Sequence, residues 1–298
     1  MMLTYNAVFA LTLRSPLDPS RAPCVSVDCG MRTLRLRVPE DDAVMEAMVA
    51  AAHSAALAAG EDEYDAVMEE HCSSLITRRP AYWAQVWPCA IALSQIVLAE
   101  PSLVAAKKCL EVGAGLAMPS VSAALAGAAF VLATDREPDA IRYALANAAE
   151  NECSPQVVSA ELLDWSLAGS PIGSDPAAPI GSKFDVVLCS DVLYDATAPP
   201  LLSRLLHECV LPGGCVLLTD NADRPYKDTR TDVLLELVGC ARSERHTTAS
   251  VRHEPIAWQS AWQCFLTLAT SHGVPHRMGC HRVGILTAGV RQSILWHP

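Results

Sequence analysis

The stretch Glu111-Val-Gly-Ala-Gly-Leu-Ala117 carries the most specific chemistry-bearing pattern in the chain. An apolar run ends in an acid, two glycines alternate, and Pro119 follows in the first turn of a helix, where a missing N–H costs nothing. Gly113 and Gly115 permit a tight turn and let a ligand approach bare backbone closely. Asp135 stands twenty residues beyond Gly115, at the end of the next apolar run, where an acid can accept hydrogen bonds from ribose hydroxyls. Sites for NAD and for S-adenosylmethionine share that much. A dinucleotide fingerprint asks for Gly or Ala at position 118, but Met118 stands there, so a helix N-terminus seated under a pyrophosphate fits poorly. A cofactor without that pyrophosphate, S-adenosylmethionine, is expected.

These residues need a scaffold that gathers strand ends on one side. Lys107–Val112, Phe130–Thr134, Val157–Leu162, Phe184–Ser190 and Cys215–Thr219 read as strands, preceded by an alternating strand at Thr33–Val38. Asp42–Ala59, Ala90–Ala99, Pro119–Ala126, Pro138–Glu150 and Pro200–Val210 read as helices, the last closed by Pro212-Gly213-Gly214, and a further helix is expected near Asp232–Val238. Gly169–Ser182 is a loop by composition. Alternating β and α elements with wholly apolar strands imply a parallel sheet covered on both faces. Such sheets place their ligand crevice outside the carboxyl ends of the strands.

With the motifs placed, a resemblance becomes specific. Glu111-Val-Gly-Ala-Gly-Leu, Ala-Thr-Asp135, Leu-Asp164-Trp165, Cys-Ser190-Asp191-Val-Leu-Tyr194 and Leu-Pro-Gly-Gly resemble the seven-stranded, class I methyltransferases. Tyr82-Trp83-Ala-Gln-Val-Trp87-Pro88 and Asp-Val-Leu-Tyr narrow the resemblance to the methyltransferase-like protein-lysine methyltransferases, over about Met31 to Pro225. The resemblance implies an α/β, Rossmann-like, doubly wound and mostly parallel seven-stranded sheet. It implies that Trp87 closes over the cofactor and that Glu111, Gly113, Ala114 and Gly115 form the turn beneath it. Asp135 would hold the ribose, Asp164 and Trp165 would lie by the adenine, and Ser190 would line the pocket. Asp191 and Tyr194 match the D-x-x-Y motif that holds the target lysine amine, and are the catalytic candidates. Their types suit the chemistry: a neutral amine attacks the sulfonium methyl in line, and a carboxylate steadies the positive charge developing on nitrogen. Ala117 departs from the pattern, since close relatives usually have Gly there.

Simpler roles compete for each residue. Trp83, Trp87 and Trp165 could be ordinary core aromatics, Asp191 a cap and Tyr194 a packing residue. The joint order of five motifs lowers those alternatives. His272, His276, Cys280 and His281 have a spacing that a metal could use, but no second ligand pair stands nearby, and no metal is expected. The Ser190–Tyr194 segment lacks both prolines of the Asn/Asp-Pro-Pro-Tyr/Phe motif of base-methylating enzymes. Two rivals stand beside a protein-lysine methyltransferase: a small-molecule N-methyltransferase of the same fold, and a cofactor-binding protein without catalysis.

Composition sets the outer bounds. The chain has 298 residues, 51% hydrophobic and 18% charged, which excludes a disordered chain. A net charge of −11 offers no electrostatic footprint for nucleic acid. Residues 241–298 hold six Arg and two Glu, leaving −15 on residues 1–240. The twelve cysteines are scattered without a CxxC pair, which points to a reducing compartment. The uncharged run between Glu111 and Asp135 is broken by Gly113, Gly115, Pro119 and Gly127, so no membrane span is expected. Residues 1–13 lack acids and are followed by Arg14, the reverse of a secretory signal; a short transit peptide and a start at Met31 both stay open. The expectation is a cytoplasmic monomer acting on a protein with an accessible lysine, nuclear or organellar import being left open. It comprises an N-terminal extension (1–30), a class I methyltransferase domain (31–240) and a divergent region (241–298) supplying the last strands.

Overall fold

The computed structural model describes residues 17–77, 81–165, 183–195, 197–221 and 281–287. The chain opens with an antiparallel hairpin, β1 (Cys24–Asp28) and β2 (Thr33–Arg37), followed by helices α1 (Asp41–Ala59) and α2 (Tyr64–Thr77). A short 3-10 turn at Tyr82–Ala84 leads into α3 (Pro88–Ala99). From there β and α alternate as β3 (Lys108–Val112), α4 (Met118–Leu125), β4 (Phe130–Asp135), α5 (Pro138–Glu150) and β5 (Val158–Leu162). The second half contributes β6 (Phe184–Ser190), α6 (Ala198–Cys209), β7 (Val210–Asn221) and β8 (His281–Thr287).

The main sheet runs β5-β4-β3-β6-β7-β8, with the first five strands parallel and β8 antiparallel to β7. Strand order reverses between β3 and β6, so the crevice of a doubly wound sheet opens at their carboxyl ends. Alternation along each strand divides the core. Leu110, Val112, Val187 and Cys189 face one side and pack with Leu202, Leu205 and Leu206 of α6. Cys109, Val186 and Leu188 face the other and pack with Leu93 and Val97 of α3 and Met118 and Val121 of α4. Both faces are buried, as continuous apolar strands require. The eight cysteines whose side chains are described are free thiols, five of them buried. Among the described residues no helix is long and apolar enough to cross a membrane.

The predicted elements from β3 to β6 agree with the structure to within a residue or so, and the differences have physical causes. The boundary at residue 30 divides a hairpin: Cys24–Asp28 of the expected extension pair with Thr33–Arg37. That hairpin is held from across the chain. The Asn147 side chain accepts from the Arg37 N–H at 2.6 Å and donates to the Leu116 carbonyl at 3.0 Å, while Arg37 pairs with Glu150 at 2.7 Å. Pro212-Gly213-Gly214 does not separate α6 from a later strand. It lies within β7, where the pairing register with β6 shifts between Phe184 and Val186. The main sheet has six strands among the described residues, against the seven expected. The candidate strand His246–Val251, the helix near Asp232–Val238, the Gly169–Ser182 loop and His272, His276 and Cys280 lie outside those residues. Arg282–Ala288 coincides with β8.

Candidate active site

The carboxyl ends of β3, β4 and β6 and the loop before α3 enclose a cleft of about 840 Å³. Trp87, Gly113, Ala114, Gly115, Asp135, Asp164, Trp165, Ser190, Asp191 and Tyr194 all line it, so ten of the eleven predicted site residues share one cavity. Glu111 does not. It is fully buried beneath the turn, and its Oε2 accepts from the Ser120 N–H at 2.9 Å and the Ser120 hydroxyl at 2.5 Å. Ser120 lies in the first turn of α4, whose preceding residue Ala117 has no side chain able to cap. A strand-borne carboxylate therefore serves as the cap. Burial pushes the Glu111 carboxyl up to about 8, against the pull of those two bonds.

The glycine turn is fixed by close backbone approach. A Cβ on Gly115 would lie 2.9 Å from the Trp83 carbonyl oxygen, and its φ is +53°. Gly113 is similar at φ +64°, with Val192 Cγ1 at 3.2 Å from a built Cβ. Asp135 locks the turn from the next strand: its Oδ2 accepts from the Gly115 N–H at 2.8 Å and its Oδ1 from the Glu137 N–H at 3.0 Å. Burial raises its pKa while those N–H bonds lower it. Asp135 lines the cleft, and its two oxygens offer about four lone-pair sites, more than its main-chain bonds use.

The opposite wall is made of side chains. Asp191 follows β6 with φ +60°, a left-handed conformation that Asp tolerates better than most residues. Its N–H is tied to the Thr219 carbonyl of β7 at 2.9 Å, and the Thr219 hydroxyl donates to the Cys89 carbonyl of α3 at 3.0 Å. The Asp191 backbone is thereby coupled to the helix that follows Trp87. Tyr194 is 41% exposed at the cleft mouth, and partial burial raises its phenol pKa against the pull of Arg136, so it stays protonated at neutral pH. Trp87 donates its indole N–H to the Tyr82 carbonyl at 2.7 Å, closing the loop over the cleft. Trp83 packs on buried Tyr143 at 5.3 Å, as a core aromatic would, and also lines the cleft.

Tyr82, Arg136, Glu137 and Asp195 also line the cleft and were not singled out from sequence. Adjacency to Asp135 and Tyr194 was the available signal for three of them. Arg136 is outnumbered by the carboxylates of Asp135, Glu137, Asp164, Asp191 and Asp195, so the lining favours a cation. No group of three or more metal-ligating side chains occurs among the described residues. The parts fit S-adenosylmethionine: a bare-backbone turn, an acid lining the cleft at the next strand end, and Trp165 against the wall.

A doubly wound sheet with this cleft defines a class, and comparison with known proteins names the family within it. The sequence model of the lysine methyltransferase family matches residues 79–231, and the chain belongs to that family. The electron transfer flavoprotein beta subunit lysine methyltransferase of Rattus norvegicus is 28% identical over 144 residues, 48% of this chain and 51% of that protein. The protein N-terminal and lysine N-methyltransferase of Schizosaccharomyces pombe is 31% identical over 151 residues, 48% of this chain and 58% of that one. The chain thus spans about half the length of the curated relatives it matches. Among solved structures, a magnesium protoporphyrin IX methyltransferase from Synechocystis with bound SAM aligns over 67% of this chain and 78% of its own, with 17% identity and a TM-score of 0.44.

Proposed function

We propose that the protein transfers a methyl group from S-adenosylmethionine to a lysine amine on a protein substrate. The observation that carries this reading is the convergence, in one acid-lined cleft, of the glycine turn with Asp135 and the Asp191–Tyr194 pair. When bound, S-adenosylmethionine supplies an electrophilic methyl on a sulfonium. The Gly113–Gly115 backbone and Asp135 would orient it from one wall. From the other, Asp191 would accept a hydrogen bond from the amine and stabilise charge developing on nitrogen, with Tyr194 orienting the same group. The acidic lining favours approach of a cationic side chain, which must lose its proton before attack because only the neutral amine is nucleophilic.

The first test is calorimetric binding of S-adenosylhomocysteine; no binding would end the reading. The second is labelled methyl transfer to recombinant electron transfer flavoprotein beta subunit and to a cell lysate, with and without Asp191→Ala. Label in protein that vanishes with Asp191→Ala is expected. Label confined to low-mass material would move the assignment to a small-molecule acceptor. The Schizosaccharomyces pombe relative, a protein N-terminal and lysine N-methyltransferase, supports one variant, an N-terminal α-amine as acceptor, which mass spectrometry of the labelled peptide separates from lysine.

A further inference from the structure

Tyr82 enters the sequence only as the first residue of an aromatic run, yet its ring joins the two loops that form the cleft mouth. Its centroid lies 5.2 Å from that of Tyr194, tilted by 40°, and 5.7 Å from that of Trp87, tilted by 51°. Trp87 stands before α3 and Tyr194 after β6, so Tyr82 is where these walls meet. Tyr82 is 40% exposed and Tyr194 41%, too open for rings whose task is filling a core. Asp191 and Asp195, from the same loop as Tyr194, line the same cleft. Aromatic faces beside carboxylates match a particular ligand chemistry. A plain amine is held best by hydrogen bonds to a carboxylate. An amine already carrying methyl groups has fewer N–H donors and a diffuse positive charge, which aromatic faces attract.

We propose that Tyr82 is a specificity-determining residue: with Tyr194 it forms an aromatic wall that holds the N-methylated amine and so sets how many methyl groups are added. This rests on the amine-methylating function proposed above. Asp191 serves the first transfer through hydrogen bonding, and the Tyr82 face serves the later ones. Trp87 bonds the main-chain carbonyl of Tyr82, a contact that side-chain substitution leaves intact.

The experiment has two arms, each on wild type, Tyr82→Phe and Tyr82→Leu. In the first, tetramethylammonium is titrated into the S-adenosylhomocysteine-loaded protein and followed by saturation-transfer NMR. Wild type and Tyr82→Phe should bind alike, and Tyr82→Leu roughly three- to fivefold more weakly. In the second, mass spectrometry counts methyl groups on protein lysines after reaction. Tyr82→Leu should shift products toward monomethyl-lysine while Tyr82→Phe keeps the wild-type pattern. Equal binding and an equal product pattern in Tyr82→Leu would overturn the proposal and leave the function standing. Absence of any transfer by wild type would overturn the function, and the first arm would still decide whether the wall binds a methylated cation. S-adenosylhomocysteine affinity serves as the folding control, with Tyr82→Met substituted should Tyr82→Leu fail it.

Discussion

The two walls of the cleft are built on different principles. On the β3–β4 side, geometry is set by backbone: Gly115 sits under the Trp83 carbonyl, Asp135 binds two main-chain N–H groups, and Glu111 caps α4 from below. On the other side it is set by side chains, with Tyr194 after β6 and Tyr82 before α3 near 40% exposed and joined by ring contact. A wall of backbone suits a ligand that never changes, because almost any substitution displaces it. A wall of exposed side chains can be altered without disturbing the fold, which suits a partner that differs between relatives. Under the proposed function, the methyl donor and the acceptor amine fall on the two sides of that contrast.

The contrast can be broken most forcefully at Asp191. Asp191→Ala should lower methyl transfer about 10²- to 10³-fold while leaving S-adenosylhomocysteine affinity unchanged by calorimetry. A parallel loss of cofactor affinity would mean that the walls are not separate. On the backbone side, Asn147→Leu removes bonds to Arg37 N–H and to Leu116 carbonyl and leaves buried partners unsatisfied. A loss of about 3 kcal/mol is expected, roughly 6–12 °C in Tm by scanning calorimetry. Gly115→Ala places a Cβ 2.9 Å from the Trp83 oxygen at φ +53°, and should weaken S-adenosylhomocysteine binding at least about tenfold. An unchanged affinity would show that the Trp83 loop gives way.

Glu111→Gln sharpens the comparison through pH. The folded-state pKa of Glu111 is raised from 4.5 to about 8, so the folded protein binds its proton more tightly than the unfolded chain does. Its contribution to stability is full below about pH 4.5 and declines as pH rises toward 8. The Tm difference between Glu111→Gln and wild type should therefore move in favour of the variant between about pH 5 and 8; a constant difference would refute the buried acid as its source. Ala117→Gly should do least. Relief of the left-handed conformation at φ 57° is worth about 1–2 kcal/mol, but the buried methyl lost is worth about 0.8 and the unfolded chain gains freedom. The net change should stay within about 1 kcal/mol by urea denaturation.

The same division governs what the sequence reveals. Gly113, Gly115 and Asp135 are legible because backbone geometry restricts residue type at fixed spacing. The parallel strands are legible because burial on both faces demands uninterrupted apolar runs. The hairpin strand β1 is not. Cys-Val-Ser-Val-Asp is short and half exposed, and its partner strand is held by Asn147 and Asn151, over a hundred residues away. Glu111 is visible as an acid before the turn, but nothing local says that it points down to Ser120 rather than up to a ligand. Tyr82 escapes for a related reason: its meaning lies in Tyr194, which reaches it only after the chain has crossed the sheet.

That crossing bears on synthesis. A nascent chain that has emerged only through Trp165, just past β5, already holds the glycine turn and Asp135, yet lacks Asp191, Tyr194 and the Thr219 tie to α3. Ligand stabilisation acts only on the assembled state, so S-adenosylhomocysteine added during translation would favour chains that have completed the β5-to-β6 passage. The cofactor would then act as a checkpoint on maturation as well as a reagent.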